Sequence, residues 1–584
     1  MILQALNQLY ERHLADPESD VPVPGFCDAK VSFCLLLDKE GHLLQVQDLR
    51  EAKGKKKTPR SMRVPETFKR TVGIKANFLC DNTKYALGAD AEGVTGRSRE
   101  TFHAFLDLVQ EVGGGLDEPG LQAVRAFLSA WEPENAPKLE NWEEIAGQNL
   151  VFRLDMAKGY VHESPAVRRA WLNHKEGQTG GEKGQCLVTG EETALARLHP
   201  PVKGVPGSQT SGAALVSFNL DAFTSYGKSQ NFNAPVSERT AFSYTTILNH
   251  LLARGSKQKV QIGDATVVFW SQEESPLESW FGPLLEPPSA EDHALNQELA
   301  ALLQALRQGL PLPAPDSDNP FYVLGLSPNA ARLSVRFWLV STVGQMAERL
   351  GQHVRDLEIV RQFENQPAHL SLWALLKETA VLGKTENIPP NLAGEFARAV
   401  LTGGPYPRTL LTRLVDRVRA DHTMNYPRAA LVKAYLARKH RHNPSLYKEV
   451  TVTLDPANQN PAYRLGRLFS ILESLQKSAL GYKLNATIRD KYLSSASSGP
   501  RVNFPMLLRL AQAHVKKSNY GELYQRRIAE VLEGVADFPP SLSLEEQGRF
   551  FLGYYHQTAE DIRQKIAHQT DETTDPETAA GEEE

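Results

Sequence analysis

Basic side chains, which can neutralise phosphate groups, are concentrated in one short stretch, residues 51–70 (EAKGKKKTPRSMRVPETFKR). The candidates for phosphate contact in this stretch are Lys53, Lys55, Lys56, Lys57, Arg60 and Arg63. Like charges this close repel one another, so the run is also typical of a solvated surface loop. The run by itself leaves open both a phosphate-binding loop and a plain solvated loop.

A second stretch with binding chemistry, residues 186–235, is dense in Gly, Ser, Thr, Asn, Gln and Lys. Lys203 and Lys228 add charge for phosphates, amides can donate and accept at base edges, and glycines allow close backbone approach. A long irregular segment inside a large protein is usually functional. Together with residues 75–82, it supplies these candidates for base-pair contact: Lys75, Asn77, Phe78, Asn82, Gly207, Gln209, Ser211, Gln230 and Asn231.

Some of these candidates have plainer interpretations. Phe78 can stack or wedge against bases, but a phenylalanine belongs more often to a hydrophobic core. Asn82 is a residue type that more often forms turns. Because cations, amides and aromatic rings occur together in two loop-like stretches, we favour nucleic-acid binding over these interpretations.

The C-terminal part of the chain is strongly basic although the whole chain has a formal net charge of -4. Residues 401–530 contain 22 Lys and Arg against 8 Asp and Glu. Basic residues on helices without a reading motif indicate sequence-independent contact with a backbone, or a surface that balances acids elsewhere. The candidates for strand contact are Arg464, Arg467, Lys477, Lys483, Arg509, Lys516, Lys517 and Arg526.

Catalytic and metal-binding signatures are missing from the sequence. There is no phosphate-binding G-x-x-x-x-G-K-[ST] loop, no H-E-x-x-H helix and no zinc-deaminase pattern. The four cysteines form no C-x-x-C pair. We therefore predict no catalytic residue, no metal ligand and no cofactor, with a stand-alone nuclease or hydrolase as the alternative.

Composition indicates a multidomain cytoplasmic protein. Hydrophobic residues make up 41% of the 584 residues, which is enough to fill several cores. No apolar run reaches the ~18 residues that a membrane helix needs, so we predict no membrane partner. The N-terminus (MILQALNQLYERHLADPESD) has helical apolar spacing rather than the pattern of a signal peptide. The few cysteines fit a reducing compartment.

The elements that must position these residues change character along the chain. KVSFCLLLD and HLLQVQDL predict a hairpin around KEG, GQNLVFRLD a strand, and KVQIGDATVVFW a strand pair that turns at Gly263 and Asp264. FYVLGLSPNAARLSVRFWLV predicts two strands around a Ser-Pro-Asn turn. From about residue 345 only helical patterns occur, including a stripe from Leu465 to Leu480 that Asp455 or Asn458 can cap.

We therefore predict an α+β protein, with a mixed α/β N-terminal half carrying long irregular loops and an all-helical C-terminal bundle. Its predicted regions are a recognition domain (1–275), a helical excursion with a Pro-rich linker (276–320), a strand pair packing on the N-terminal domain (321–345), a helical middle region (346–445), a basic helical bundle (446–568) and a disordered acidic tail (569–584).

Four blocks of sequence also carry a family resemblance. They are GIKANFLCDNTKYALG, the long block that begins CLVTGEETALARLHPPVKGVPGSQTSG, FYVLGLSPNAARLSVRFW and NPAYRLGRLFSILESLQ. They resemble the large subunit of the type I-C CRISPR interference (Cascade) complex. The resemblance runs from the first helix to about residue 567, and only the acidic tail lies outside it.

The resemblance implies a non-catalytic DNA-recognition subunit. In such complexes guide RNA pairing reads the target, and protein reads only a short flanking motif, the PAM. The large subunit is expected to recognise the PAM in double-stranded DNA from its N-terminal half, and to help open the duplex. Its C-terminal helices, which resemble the small subunit, line the path of the displaced strand.

The implied partners are the guide RNA, target DNA, the backbone and guide-end subunits, a separate small subunit and a helicase–nuclease. The individual contact residues follow from side-chain chemistry, and the family resemblance does not imply them. A purely architectural RNA-binding subunit remains an alternative.

Overall fold

The computed structural model describes residues 1–53, 56–67, 70, 73–177, 182–286, 292–308, 310, 316–444, 450–481 and 484–574, with the backbone alone at 53, 56, 307, 390 and 567–574. The chain divides into two compact units. Unit 1 comprises Met1–Arg254 and Pro328–Ser334, and unit 2 comprises Gly255–Ser327 and Val335–Glu584. The sequence pattern predicts the first boundary at 275 and the whole strand pair 321–345 with the N-terminal domain. In the structure the boundary follows Arg254, and only Pro328–Ser334 of that strand pair belongs to unit 1.

Unit 1 combines small sheets with seven helices in its described part. Its strands are β1 (Phe26–Val31), β2 (Phe33–Leu37), β3 (Leu43–Asp48), β4 (Glu51–Lys53), β5 (Lys56–Thr58), β6 (Arg60–Pro65), β7 (Asp81–Asn82), β8 (Asn149–Leu154), β9 (Lys183–Gln185) and β10 (Glu192–Ala194). Its helices are α1 (Ile2–Ala15), α2 (Thr83–Ala86), α3 (Gly96–Gly113), α4 (Pro119–Ala130), α5 (Trp142–Ile145), α6 (Pro165–Gly177) and α7 (Glu238–Leu251).

The main sheet of unit 1 has the strand order β3-β2-β8-β7. β2 pairs antiparallel with β3, which confirms the predicted hairpin, and parallel with β8. Alternate side chains of these strands enter a core with Phe105 of α3 and Phe127 of α4. β1 and β6 form a separate antiparallel ribbon.

Unit 2 contains most of a four-stranded sheet with the strand order β11-β12-β13-β14, and this sheet confirms both predicted strand pairs. The strands are β11 (Lys259–Ile262), β12 (Ala265–Ser271), β13 (Pro320–Asn329) and β14 (Arg332–Thr342). The predicted position of the turn is wrong, because β13 continues through the Ser-Pro-Asn sequence. The chain turns at Ala330 instead, which has a φ of +52°.

The remaining helices of unit 2 confirm the helical prediction, since no strand follows residue 342 in the part of the chain that is described. They are α8 (Leu277–Leu285), α9 (His293–Arg307), α10 (Val343–Leu357), α11 (Leu372–Lys377), α12 (Pro390–Thr402), α13 (Arg408–Asp421), α14 (Tyr426–His442), α15 (Pro461–Leu480), α16 (Ile488–Ser498), α17 (Pro500–Lys517), α18 (Gly521–Glu533) and α19 (Leu544–Thr574). The mixed N-terminal half and the helical C-terminal part together confirm the predicted fold class.

The ends of two helices differ from expectation. The cap of α15 is Asn460, whose Oδ1 accepts from the backbone N–H groups of Ala462 (3.0 Å) and Tyr463 (3.2 Å). Neither Asp455 nor Asn458 caps it, because the fixed φ of Pro461 suits the first helical position. The backbone of α19 is helical to Thr574, within the region expected to be a disordered tail, and residues 575–584 lie outside the described part.

Helices α15 and α19 approach each other closely through two glycines. A Cβ atom at Gly466 would overlap the carbonyl oxygen of Phe550, and one at Gly553 would overlap that of Tyr463. The two backbones are therefore in direct contact at this crossing, which no other residue type permits. In all helices that the structure describes, no segment is both long enough and apolar enough to span a bilayer.

We predict that Gly466→Ala destabilises unit 2 by about 3 kcal/mol or more, because the new methyl group meets backbone atoms that cannot move aside. The matched control is Gly394→Ala in α12, where a Cβ meets nothing within 4 Å. That change should stabilise by up to about 1 kcal/mol through helix propensity. Urea denaturation of both variants measures the difference, and equal midpoints would contradict the close crossing.

Candidate nucleic-acid interface

A buried carboxylate organises the loop that contains Lys75 and Asn77. The side chain of Asp81 is nearly inaccessible, and its two oxygens accept from the backbone N–H groups of Asn77 (2.9 Å) and Asn82 (2.8 Å). Arg70 forms an ion pair with the same carboxylate. Burial raises the pKa of Asp81, whereas the Arg70 charge and the two backbone donors oppose this rise.

Arg70 links that carboxylate to the exposed end of the loop. Its Nε donates to the carbonyl of Lys75 (2.7 Å), and its guanidinium lies 3.8 Å from the ring centroid of Tyr85. The backbone of Lys75 is therefore held by an arginine that is itself fixed by Asp81 and by the ring of Tyr85.

Three of the predicted base-contact residues are buried, which corrects the sequence-based prediction. The ring of Phe78 is fully buried and stacks on Trp171 at 5.2 Å, so it has no surface to present to a base. Asn77 is 6% exposed and Asn231 only 1%, so their amides face the protein. Asn82 is half-buried, and its Oδ1 lies in the interior without a hydrogen-bond partner.

Lys75 belongs to a cationic cluster that the sequence did not reveal. Its side chain is exposed, yet burial lowers its pKa, and the positive charges of Lys175 and Arg197 lower it further. Nη1 of Arg197 donates to Oε1 of Gln230 at 3.0 Å. Arg197, which holds Gln230, thus acts electrostatically on Lys75 from a distant stretch, while Glu66 and Glu238 oppose the lowering of its pKa.

Arg197 and Lys175 were missed because neither has basic neighbours that mark a cluster in sequence. Lys175 lies on α6 and forms an ion pair with Glu66. Arg197 lies within the long polar block 186–235, and that position was the available signal. A cluster made from several elements is visible only after folding.

A second surface is the loop 203–212, which unit 1 holds at its base. Val202 and Ala213 exchange two backbone hydrogen bonds of 2.8 Å, which close the loop. Asn249 of α7 accepts from the Lys203 backbone N–H (2.7 Å) and donates to the Pro201 carbonyl (3.1 Å). The loop exposes four of the predicted contact residues: Lys203, Gly207, Gln209 and Ser211.

The basic run 53–63 forms strands rather than the expected open loop. β4 pairs with β5 in a short ribbon, and Lys55 lies outside the described residues, as do the side chains of Lys53 and Lys56. Lys57 pairs with Asp48 at 2.8 Å. Arg63 likewise pairs with Asp28 at 2.8 Å, whereas the side chain of Arg60 is exposed.

Unit 2 exposes four of its predicted strand-contact residues on one helix pair. We call this set the α17–α18 cationic face, and it consists of Arg509, Lys516, Lys517 and Arg526. Lys477 is half-buried and pairs with Glu473 at 2.6 Å. Lys483 lies outside the described residues.

Arg464 and Arg467 are buried, which removes them from the predicted strand-binding surface. Nε of Arg464 donates to the Asn458 carbonyl (2.7 Å), and Nη1 of Arg467 donates to the Pro456 carbonyl (3.2 Å). Burial also lowers the pKa of Arg467. Both guanidinium groups fasten the segment before α15 to the bundle, so their charges have a structural role.

The chemistry that these surfaces present is that of binding. Cations, amides and hydroxyls are exposed on the loops of unit 1, and cations on α17 and α18 of unit 2. Within the described ranges, no three histidine, cysteine or carboxylate side chains converge as metal ligands. Such surfaces suit a ligand that combines phosphates with hydrogen-bonding edges.

Comparison with known proteins supports the resemblance drawn from the loop blocks. A family model described as CRISPR-associated protein (Cas_Csd1) matches residues 6–561, nearly the whole chain. No curated protein matches the chain. The match includes the long polar block and the basic helical bundle.

We predict that Asp81→Asn loosens the loop around Lys75 and lowers stability by about 2–3 kcal/mol, because the amide nitrogen would face a backbone donor and leave Arg70 unpaired. Hydrogen exchange of residues 73–82 should become faster than in the parent protein. Asp20→Asn removes the same charge at a side chain that is 97% exposed, and should change neither stability nor exchange. Equal exchange in all three proteins would contradict the anchoring role.

Proposed function

Because the chain belongs to the Cas_Csd1 family of CRISPR-associated proteins, we propose that it is the large subunit of a type I-C surveillance complex and that unit 1 recognises the PAM. In RNA-guided complexes the guide reads the target by base pairing, and protein reads only the short flank. The observation that supports this role is the 3.0 Å hydrogen bond from Arg197 to Gln230, which places a cation beside an amide, and the charge of Arg197 also acts on Lys75.

In this proposal the two kinds of exposed group have different tasks. Lys75, Arg197, Lys203 and Lys228 neutralise phosphates and draw duplex DNA to unit 1 by counterion release. Gln209 and Ser211 lie on the loop 203–212, where they can donate and accept at base edges. Asn77, Phe78 and Asn231 support these loops from inside and make no contact with DNA.

The α17–α18 cationic face has the complementary task of holding the displaced strand. Opening of the duplex is a near-balanced exchange of one helix for another. A few phosphate contacts, each worth on the order of 1 kcal/mol, therefore decide whether the open state persists. The subunit itself is non-catalytic, and a separate helicase–nuclease, recruited to the open complex, cuts the DNA.

The test of PAM recognition is DNA binding by the assembled complex across all flanking motifs. We expect discrimination among motifs with this chain present and none without it. Gln209→Ala should reduce discrimination about tenfold while affinity for unmatched flanks changes little, since one base-edge contact is worth ~1–3 kcal/mol. The control is Gln122→Ala, which alters an exposed glutamine on α4.

Two outcomes of this experiment would contradict the proposal. Unchanged discrimination by a complex that lacks the chain would favour a purely architectural subunit. Cleavage of labelled DNA by the isolated chain with Mg²⁺ would favour a stand-alone nuclease.

We predict that replacing all four residues of the α17–α18 cationic face by Gln weakens binding of the displaced strand equally for every sequence. The salt dependence of affinity should fall by up to about 0.7 per lost contact. The matched control replaces four exposed cations elsewhere in unit 2: Lys384, Arg398, Arg408 and Arg413. A selective effect on PAM discrimination, or equal effects of both sets, would argue against this role.

A further inference from the structure

Tyr226 is the most exposed of the large apolar and aromatic side chains in the described residues, at 99%. It occupies the tip of a tight turn in which the Lys228 backbone N–H donates to the Ser225 carbonyl at 2.9 Å. Tyr226 has a φ of +51° and Gly227 a φ of +70°. Two successive residues with positive φ are typical of a type I′ turn.

The fold of the chain does not account for a tyrosine at this position. The first central position of a type I′ turn favours Asn, Asp or Gly, and positive φ is unfavourable for a residue with a large side chain. The ring gains nothing from burial within this chain, because nearly all of its surface faces solvent. The strain and the exposure therefore indicate an interaction with something outside the chain.

The turn is held in place although its tip is exposed. Oδ1 of Asn233 accepts from the Ser225 backbone N–H (2.9 Å), and its Nδ2 donates to the carbonyls of Lys228 (2.7 Å) and Gln230 (2.9 Å). Further back, Arg332 bonds to Asn219 and lies over the ring of Phe223. A ring that is already held loses little freedom on binding, which favours affinity.

The neighbours of the ring indicate the kind of ligand. Lys228 is exposed beside the tip, and Gln230, two residues on, bonds to Arg197 of the cationic cluster. Aromatic rings among cations are the usual surface for unpaired nucleic acid, because bases stack on the ring while the cations contact phosphates. A paired base inside a duplex does not expose its face.

We propose that Tyr226 is a stacking site for an unpaired nucleobase next to the PAM. This inference rests on the proposed function and specifies where unit 1 holds the first opened base. The face of the ring, and not its hydroxyl, makes the contact, and the Asn233 hydrogen bonds set the height of the ring above the loop.

The test uses the assembled complex and compares Tyr226→Asn with Tyr226→Phe. Asn suits the type I′ turn, so Tyr226→Asn removes the ring while the turn is kept. On a PAM-containing duplex we expect about a tenfold loss of affinity for Tyr226→Asn and less than a twofold loss for Tyr226→Phe. A target already unpaired beside the PAM should show the same loss, since the stacked base is still required.

Several results would overturn the stacking site. They are wild-type binding by Tyr226→Asn, an equal loss with Tyr226→Phe, full recovery on the unpaired target, or failure of Tyr226→Asn to enter the complex, which would indicate a protein contact. Failure of the proposed function is distinguishable, because the unmodified complex would then show no PAM dependence. If only this inference fails, PAM dependence remains and Tyr226→Asn binds like the unmodified complex.

Discussion

The loops of unit 1 depend on one constraint, which is that irregular backbone keeps a fixed position only where its N–H and C=O groups have hydrogen-bond partners. Side chains meet this need at three points. Asp81 accepts two backbone N–H groups below Lys75, Asn249 holds the base of the loop 203–212, and Asn233 holds the turn at Tyr226. Each of these side chains replaces the backbone hydrogen bonds that a neighbouring strand would provide. The exposed cations and amides of these irregular segments therefore have defined positions.

Unit 2 is under a different constraint. Its helices form their own backbone hydrogen bonds, so the close packing of one helix against another determines its structure. Gly466 and Gly553 let α15 and α19 touch, and this contact sets the spacing of the bundle. Arg464 and Arg467 are buried in the bundle, where backbone carbonyl groups accept their hydrogen bonds. Of the eight predicted strand contacts, the four that the structure shows exposed lie on α17 and α18. Counting basic residues therefore overstates the size of a binding surface.

These two constructions suit two kinds of recognition. The proposed reading of a few base pairs requires side chains in defined positions, and Asp81, Asn249 and Asn233 anchor the loops that carry them. Holding a strand of any sequence requires only charge at roughly regular spacing, which a helix face supplies. Under the proposed function, duplex opening is nearly balanced in free energy, so weak contacts of the second kind bear on whether it persists.

Local features were determined by the sequence alone, because they depend on neighbours along the chain. Alternation and turn residues predicted the β2–β3 hairpin, three- and four-residue spacing predicted α15, and the polar blocks identified the family. Exposure was decided only by tertiary structure. Phe78 and Arg464 are residue types that often bind nucleic acid. Trp171 covers Phe78, however, and the end of α18 covers Arg464. Arg197 lies beside Gln230 only because folding brings the two together. Burial and juxtaposition depend on residues distant in sequence, so no local pattern records them.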